Sequence, residues 1–255
     1  MENQTIQSKL LDFVLLERDE LSESNIRRMF ELMEQSYDYV NYETFLHDLG
    51  NKNYVGLLFD NFRTIQGFTT FGINPKGTGR AGYSIIFSGD TVISPLHWGT
   101  QEMMRGWATS VGKIMSTDTT KTWYWFLLSK GHRTYMYLPL FFHEYYPSLY
   151  QPENPLLKSI IDETASKLYG QYYRPDETVI VFKDKMGELK PSLAQSTFEK
   201  QNKPHVRFFL HKNPGFYKGD ELVCLADLRP DNIRGYGKKY ILEGMEQTFN
   251  VDESK

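Results

Sequence analysis

The chain has a single cysteine, Cys224, so no internal disulfide can form. It lies in the apolar run Leu222 to Leu228, where a buried, inert thiol in a reducing compartment is expected. No window approaches the roughly 20 apolar residues that cross a bilayer, and the polar stretch Met1 to Lys9 lacks the apolar core of a secretory signal. The sequence therefore reads as cytoplasmic, with no stable membrane insertion. There is no excess of positive charge either. Lys and Arg number 29 against 32 Asp and Glu, for a net charge of −3. The basic residues are spread along the chain, which argues against nucleic acid as the main partner, because phosphate binding wants a concentrated positive face. Repeats, low-complexity tracts and a clear linker are absent.

Several familiar catalytic strings are missing or incomplete. The G-x-S-x-G elbow of serine hydrolases does not occur. His143-Glu144 begins an H-E-x-x-H pattern, but Pro147 takes the place of the second histidine. Six histidines and one cysteine show no ligand spacing, so no metal is expected. Ser110-Val111-Gly112-Lys113 matches S-x-x-K without its companion motifs. Gly77 to Gly82 matches G-x-G-x-x-G, yet strands are predicted on both sides of it, so it reads as a hairpin loop and not as a dinucleotide fingerprint. Asn3-Gln4-Thr5 is formally a glycosylation acceptor that a cytoplasmic protein would not use.

Aromatic residues are plentiful, at 15% with 17 Tyr, 17 Phe and 4 Trp. They suit an apolar groove with polar tips, and equally a tightly packed α+β core. A first strand is predicted over Leu10 to Glu17. Ser22 and Ser24 are N-cap candidates for a helix carrying Ile26, Met29, Phe30 and Met33, and a second short helix over Tyr42 to Leu49 stops at Gly50. Three strands follow, Tyr54 to Phe59, Ile65 to Ile73 and Ala81 to Ile93, as an antiparallel meander. After Pro95, residues Met103 to Met115 repeat at helical spacing, then Thr122 to Leu128 forms a strongly apolar strand. Leu138 to Tyr146 and Leu156 to Tyr169 read as helices, and Thr178 to Phe182 as a strand. The polar stretch Lys183 to Lys203 reads as a loop. His205 to Leu210 and Glu221 to Leu228 read as strands joined by Asn213-Pro214-Gly215, with a polar tail after Gly244. The proline-rich stretch Pro147 to Pro155 is the one seam, dividing a core of residues 1–150 from a C-terminal extension, 151–255, that completes or packs on the sheet.

The most informative passage is Tyr83-Ser-Ile-Ile-Phe-Ser-Gly-Asp-Thr-Val-Ile-Ser-Pro-Leu-His-Trp-Gly-Thr-Gln, in which Gly89, Pro95 and Gly99 permit a strand bulge and a helix start with free N–H groups. With the order β-α-α-β-β-β-α-β-α, this passage resembles the GNAT superfamily of N-acetyltransferases. The segments Gly131 to Pro147 and Asn213 to Leu222 are similar to an uncharacterised GNAT-like bacterial group. In the superfamily a Q/R-x-x-G-x-G/A loop at that helix start cradles the pyrophosphate of coenzyme A. Aligned on Gly99, this chain has Leu96 and Gln101 at the other two signature positions. A carrier-protein phosphopantetheine, with one phosphate, would ask less of such a loop.

The resemblance implies an α+β fold with a mixed, mainly antiparallel central sheet flanked by helices and a C-terminal α/β extension. It implies an acyltransferase using acyl-coenzyme A or the phosphopantetheine of an acyl-carrier protein, with a small-molecule or peptide amine as acceptor. Val92, Ile93, Trp98, Gly99, Thr100, Gln101 and Ser129 are the expected donor-binding residues. Asp90 and Glu144 are candidate bases, His97 a candidate at the helix start, and Tyr135 or Tyr145 candidate acids. Such a reaction works by proximity, a base for the ammonium proton, main-chain N–H groups for the oxyanion and an acid for the thiolate. Each residue also has a structural alternative. Asp90 suits the cap of a bulge, His97 a satisfied loop position, Glu144 a solvated face, and Tyr135, Tyr137 and Tyr145 the core. A module that binds a ligand or docks a carrier protein without turnover is the competing function.

Overall fold

A computed structural model of the chain describes residues 11–183 and 187–247. Strand β1 (Asp12–Glu17) leads into α1 (Glu23–Ser36), the two-residue β2 (Tyr37–Asp38) and α2 (Tyr42–Leu49). The meander β3 (Tyr54–Phe59), β4 (Ile65–Ile73) and β5 (Tyr83–Ile93) follows, then α3 (Glu102–Ser116) and β6 (Thr122–Ser129). Next come α4 (His132–Tyr135), α5 (Tyr137–Phe141), β7 (Tyr145–Tyr146), α6 (Pro155–Tyr169), β8 (Tyr173–Arg174) and β9 (Val179–Ile180). The chain continues through β10 (Glu188–Leu189), α7 (Pro191–Phe198), α8 (Pro204–Lys212), β11 (Glu221–Asp227) and α9 (Gly235–Glu246). The element order expected from the sequence is the order observed as far as α4, with only the small β2 interposed.

The fold is α+β. The main sheet runs β1-β3-β4-β5-β6-β11-β9-β8, with β7 also on β11. Every pairing in it is antiparallel except β5 with β6. That parallel pair needs a crossover, and α3 supplies it. Alternation along the strands sorts the core into two faces. Ile86, Trp123, Trp125 and Leu127 pack toward α3 and α9, whereas Ile85, Phe87, Tyr124 and Phe126 pack toward α6. Helices α1 and α2 cover β3 and β4 through Met29, Leu32, Phe45 and Leu49. The N-cap of α1 is Ser22, whose hydroxyl accepts from Asn25 N at 3.2 Å, an interaction worth ~1 kcal/mol.

The C-terminal part departs from expectation at several points. Leu138 to Tyr146 is not one helix. Phe142 leaves the helical conformation (φ −125°, ψ 146°), and Tyr145 and Tyr146 pair as a strand with Ala226 and Leu225. The free edge of buried β11 needs main-chain partners there. His205 to Leu210 is helical and not a strand: Pro204 occupies the first turn, and Val206 and Phe209, three apart, are the buried pair. Short apolar runs do not separate the two states. Within Lys183 to Lys203, the segment from Pro191 forms α7, with Ala194 and Thr197 buried. The strand at Thr178 to Phe182 is only Val179–Ile180. Helix α9 was not expected at all. Leu10 of the first predicted strand and the Asn3 acceptor motif lie outside the described residues. Cys224 is fully buried, and burial pushes its thiol pKa up. Among the described residues no helix is long and apolar enough to cross a membrane.

Candidate functional site

The register of β4 on β5 slips at one place. Thr69 faces Thr91 and Phe71 faces Ser88, so Thr70 alone stands opposite Gly89 and Asp90. This is a β-bulge, which bends the strand and re-aims its side chains. Beside it, β5 and β6 pair in parallel only as far as Ser88 with Leu127. Beyond Ser88, the rest of β5 has no strand on its β6 side among the described residues, so its main-chain groups open into a gap. The two strands therefore part at the bulge that carries Asp90.

Two connected clefts meet at the gap. A narrow apolar crevice of about 40 Å³ lies on the α3 face, walled by Ser88, Met103, Met104, Trp107, Trp125 and Phe141. Trp107 packs on Trp125 with ring centroids 4.5 Å apart. A wider cleft of about 270 Å³ runs from Tyr37 past Val92, Ile93, Trp98, Gly99 and Thr100 to Gly131 and Arg133. Thr91, Thr134 and Tyr137 line both. The wide cleft is shaped by local sequence. Gly99 has φ +88°, a region that favours glycine. Trp98 Nε1 donates to the Ile93 carbonyl at 2.9 Å, and the Thr100 hydroxyl accepts from Glu102 N at 3.3 Å. The Arg133 guanidinium lies 4.6 Å over the Trp98 ring.

On the opposite face of the sheet the gap borders a charged cluster, the pit, none of whose carboxylates or lysines, Asp90 included, lines either cleft. Asp90 shares it with Asp48, Lys52, Lys130, Glu221, Tyr37 and Tyr169. Lys52 and Asp48 form an ion pair at 2.9 Å, and Lys130 and Glu221 another at 2.9 Å. Burial pushes the Asp90 carboxyl up to about 6, assisted by Asp48 and opposed by Lys52 and Lys130. Tyr37 is driven up to about 12 by burial, against the pull of Lys130. Tyr169 is raised well above the usual phenol range by burial together with Glu221, Asp48 and Asp90. Burial also raises Tyr137, keeping its hydroxyl protonated.

Of the expected donor-binding residues, Val92, Ile93, Trp98, Gly99 and Thr100 come together on the wide cleft. Gln101 is exposed at the start of α3 and lines neither cleft. Ser129 is buried, its hydroxyl 3.8 Å from the Cys224 sulfur. Among the candidate catalytic residues, Asp90 stands at the gap. His97 is buried in the turn before α3, close to Asp60, and lines neither cleft. Glu144 lies on an exposed bend after α5 and not on a helix. Tyr135 is fully buried and donates to the Pro147 carbonyl at 3.2 Å. Tyr145 packs edge-on against it, centroids 6.5 Å apart. No local pattern marks Lys52, Lys130, Glu221, Tyr37 and Tyr169, because β2, β11, α6 and the loops after α2 and β6 bring them together only in the folded chain.

No family model and no curated protein matches this sequence. Solved structures resemble parts of it. A conserved protein of unknown function from Enterococcus faecalis, described as a “probable N-acyltransferase”, matches at TM-score 0.38 and 10% identity, over 53% of this chain and 33% of that one. The GNAT family N-acetyltransferase YhbS from Escherichia coli, in complex with CoA, matches at TM-score 0.34 and 12% identity, over 48% of this chain and 64% of that one. Escherichia coli ElaA matches at TM-score 0.37 and 13% identity, over 57% of this chain and 95% of that one. The match thus spans a third of the Enterococcus protein and just under two thirds of YhbS.

Proposed function

We propose that this protein is an acyltransferase of GNAT type that moves an acyl group from a thioester to an amine. The observation that carries the reading is the bulge that sets Asp90 at the point where β5 and β6 part. A thioester arm entering from the wide cleft can lay its reactive carbonyl in that gap, with the amine arriving from the pit on the other face. Asp90, with its carboxyl near 6, is ionised at neutral pH and basic enough to take the ammonium proton. The amine nitrogen then bonds to the carbonyl carbon, the C–S bond breaks, Tyr137 supplies the proton the leaving thiolate needs, and the second proton shed by the nitrogen returns to Tyr137 while Asp90 releases the first to solvent. The unpaired main-chain N–H groups of β5 are the donors for the oxyanion. Met103, Met104, Trp107 and Phe141 offer an apolar slot for the acyl chain.

The donor is acyl-coenzyme A or an acyl-carrier protein. Its phosphate is met by the wall opposite α3, where Arg133, Lys200 and Lys203 lie close enough to disfavour the charged form of His132. On this reading the segment after residue 150 serves the site twice, with Lys200 and Lys203 near His132 of the wide cleft and Tyr169 and Glu221 beside Asp90.

One observation favours the competing reading, a ligand-binding or carrier-docking module without turnover. The first turn of α3 holds Glu102, whose carboxylate opposes a pyrophosphate at that helix start. Incubation with a panel of acyl-thioesters and amines, followed by free-thiol release and mass spectrometry of the products, separates the two. Thiol release that depends on amine is expected. Thioester binding without release by any donor and amine pair would establish the non-catalytic module instead.

A further inference from the structure

We propose that the pit selects a primary ammonium on an apolar or aromatic body and rejects acceptors that carry a carboxylate. The proposal rests on the acyltransferase reading for its role but on separate residues for its selectivity. The pit holds three carboxylates, Asp48, Asp90 and Glu221, against two lysines. Both lysines are taken, Lys52 by Asp48 and Lys130 by Glu221, each at 2.9 Å. Among the described residues, Asp90 has no ion pair and no hydrogen bond to its carboxyl. Among the described residues the net charge left for a ligand is therefore one negative, in a site where Coulomb interactions are stronger than in water. An ammonium is attracted. A carboxylate would meet Asp90 with no cation left unpaired among the described residues of the pit, and its desolvation would go uncompensated.

A second observation points to a ligand. The Thr70 hydroxyl is 1% exposed and has no hydrogen-bond partner, although buried hydroxyls are normally satisfied. Strand alternation puts Thr70 on the same face as Phe68, the pit side of the sheet. A Cβ on Gly89 would fall 2.8 Å from this hydroxyl and 3.0 Å from Lys52 Nζ. A side chain at position 89 would crowd both this hydroxyl and the Lys52 ammonium, so glycine keeps the space beside them free of protein atoms. The walls are rings: Tyr37 faces Lys130 at 5.3 Å, Phe87 lies 4.6 Å from Lys52 Nζ, and Tyr169 packs against Phe182. Tyr37 also lines the wide cleft, so the pit borders that cleft through its ring. Such walls suit an aryl or alkyl amine, by apolar burial and by cation–π attraction.

Three matched probes isolate charge from shape: phenethylamine, phenylalanine and 3-phenylpropionate. Each is titrated calorimetrically into the full chain at pH 7.5 without any thioester, so that turnover plays no part. Phenethylamine is expected to bind about tenfold or more tighter than phenylalanine, and 3-phenylpropionate not at all. Asp90→Asn should weaken phenethylamine about tenfold, and Thr70→Val by a smaller factor of about three. In the unmodified protein, phenethylamine affinity should fall as pH drops from 7.5 to 5, since the ligand stays charged while Asp90, set among Asp48, Lys52, Lys130, Glu221, Tyr37 and Tyr169, takes up a proton. Equal or tighter binding of phenylalanine, no binding of phenethylamine, or affinity that ignores both Asp90→Asn and pH would overturn the proposal. Amine binding without thiol release would leave it standing while removing the acyltransferase reading.

Discussion

Gly112 of α3 lies against the Ile241 carbonyl of α9, so close that a Cβ would sit 2.0 Å from the oxygen. Gly244 of α9 repeats the relation with the Thr109 carbonyl of α3, at 2.1 Å. The two helices cross main chain to main chain through these glycines, and the crossing fixes the helix that walls the apolar crevice. Gly112→Ala and Gly244→Ala should each destabilise the fold by about 1–3 kcal/mol, because the backbones must separate, despite the better helix propensity of alanine. Gly82→Ala, with nothing within 4 Å of the added methyl, should stay within about 0.5 kcal/mol of the parent. Urea denaturation of the three variants checks this. Equal stability of all three would mean that α9 does not dock as described.

Tyr137→Phe isolates the acid. If its hydroxyl protonates the departing thiolate, the loss in kcat should reach about tenfold to a hundredfold with alkyl thioesters, whose thiolates are strongly basic. It should nearly vanish with an aryl thioester, whose thiolate leaves unaided. Steady-state rates with both donors give the comparison, and an equal loss with each would reassign Tyr137 to packing. Tyr135→Phe is the control. Its hydroxyl points to the Pro147 carbonyl and should affect stability more than the leaving-group dependence.

What could be read from the sequence was local. Gly89-Asp90 interrupts an apolar strand with residues that suit a bulge, and Gly99-Thr100 follows a proline turn, so both stretches of the cleft were marked along the chain. Lys52, Lys130 and Glu221 were not, because they become neighbours only through the strand order β5-β6-β11 and the docking of α2. Tyr135 and Tyr137 illustrate a second limit. Two residues apart on a helical path they point about 200° apart, and which one faces the cleft depends on where the core lies. His97 shows a third: its short turn carries the ring toward the β3–β4 hairpin, and proximity in sequence to the helix start did not place it in the cleft.

Asp90→Asn should cost about 10²- to 10⁴-fold in acylation rate. In the unmodified protein the rate at saturating donor should climb with pH through about 6, as Asp90 ionises, and flatten above it. A profile with no inflection near 6, or a variant within threefold of the parent, would take the base role away from Asp90.

The same carboxyl has an opposite effect on stability, and His132 reveals it. The folded-state pKa of Asp90 is raised from 3.8 to about 6, so the protonated form is favoured by folding. Its contribution is fully present below pH 3.8 and is lost as pH rises through 6. His132 runs the other way. Its Nδ1 lies 2.8 Å from the Thr197 hydroxyl, and burial, with Lys200, Arg133 and Lys203, lowers its pKa from 6.5 to about 4. Folding favours neutral His132, so that contribution is present above pH 6.5 and is lost as pH falls through 4. Between pH 4 and 6.5 the two slopes oppose each other. Asp90→Asn should therefore be more stable than the parent above pH 6.5, by on the order of 1–3 kcal/mol, with the gain shrinking to nothing near pH 4. His132→Gln, which keeps a hydrogen-bonding group toward Thr197, should lose ground to the parent at pH 7 and regain it toward pH 4. Denaturation midpoints of parent and variants at half-unit pH steps yield these differences directly, and groups common to both proteins, such as Asp220 and His205, cancel. An Asp90→Asn gain that does not depend on pH would show that Asp90 is not held in a low-dielectric pit, and both the base role and the ammonium selectivity would fall with it.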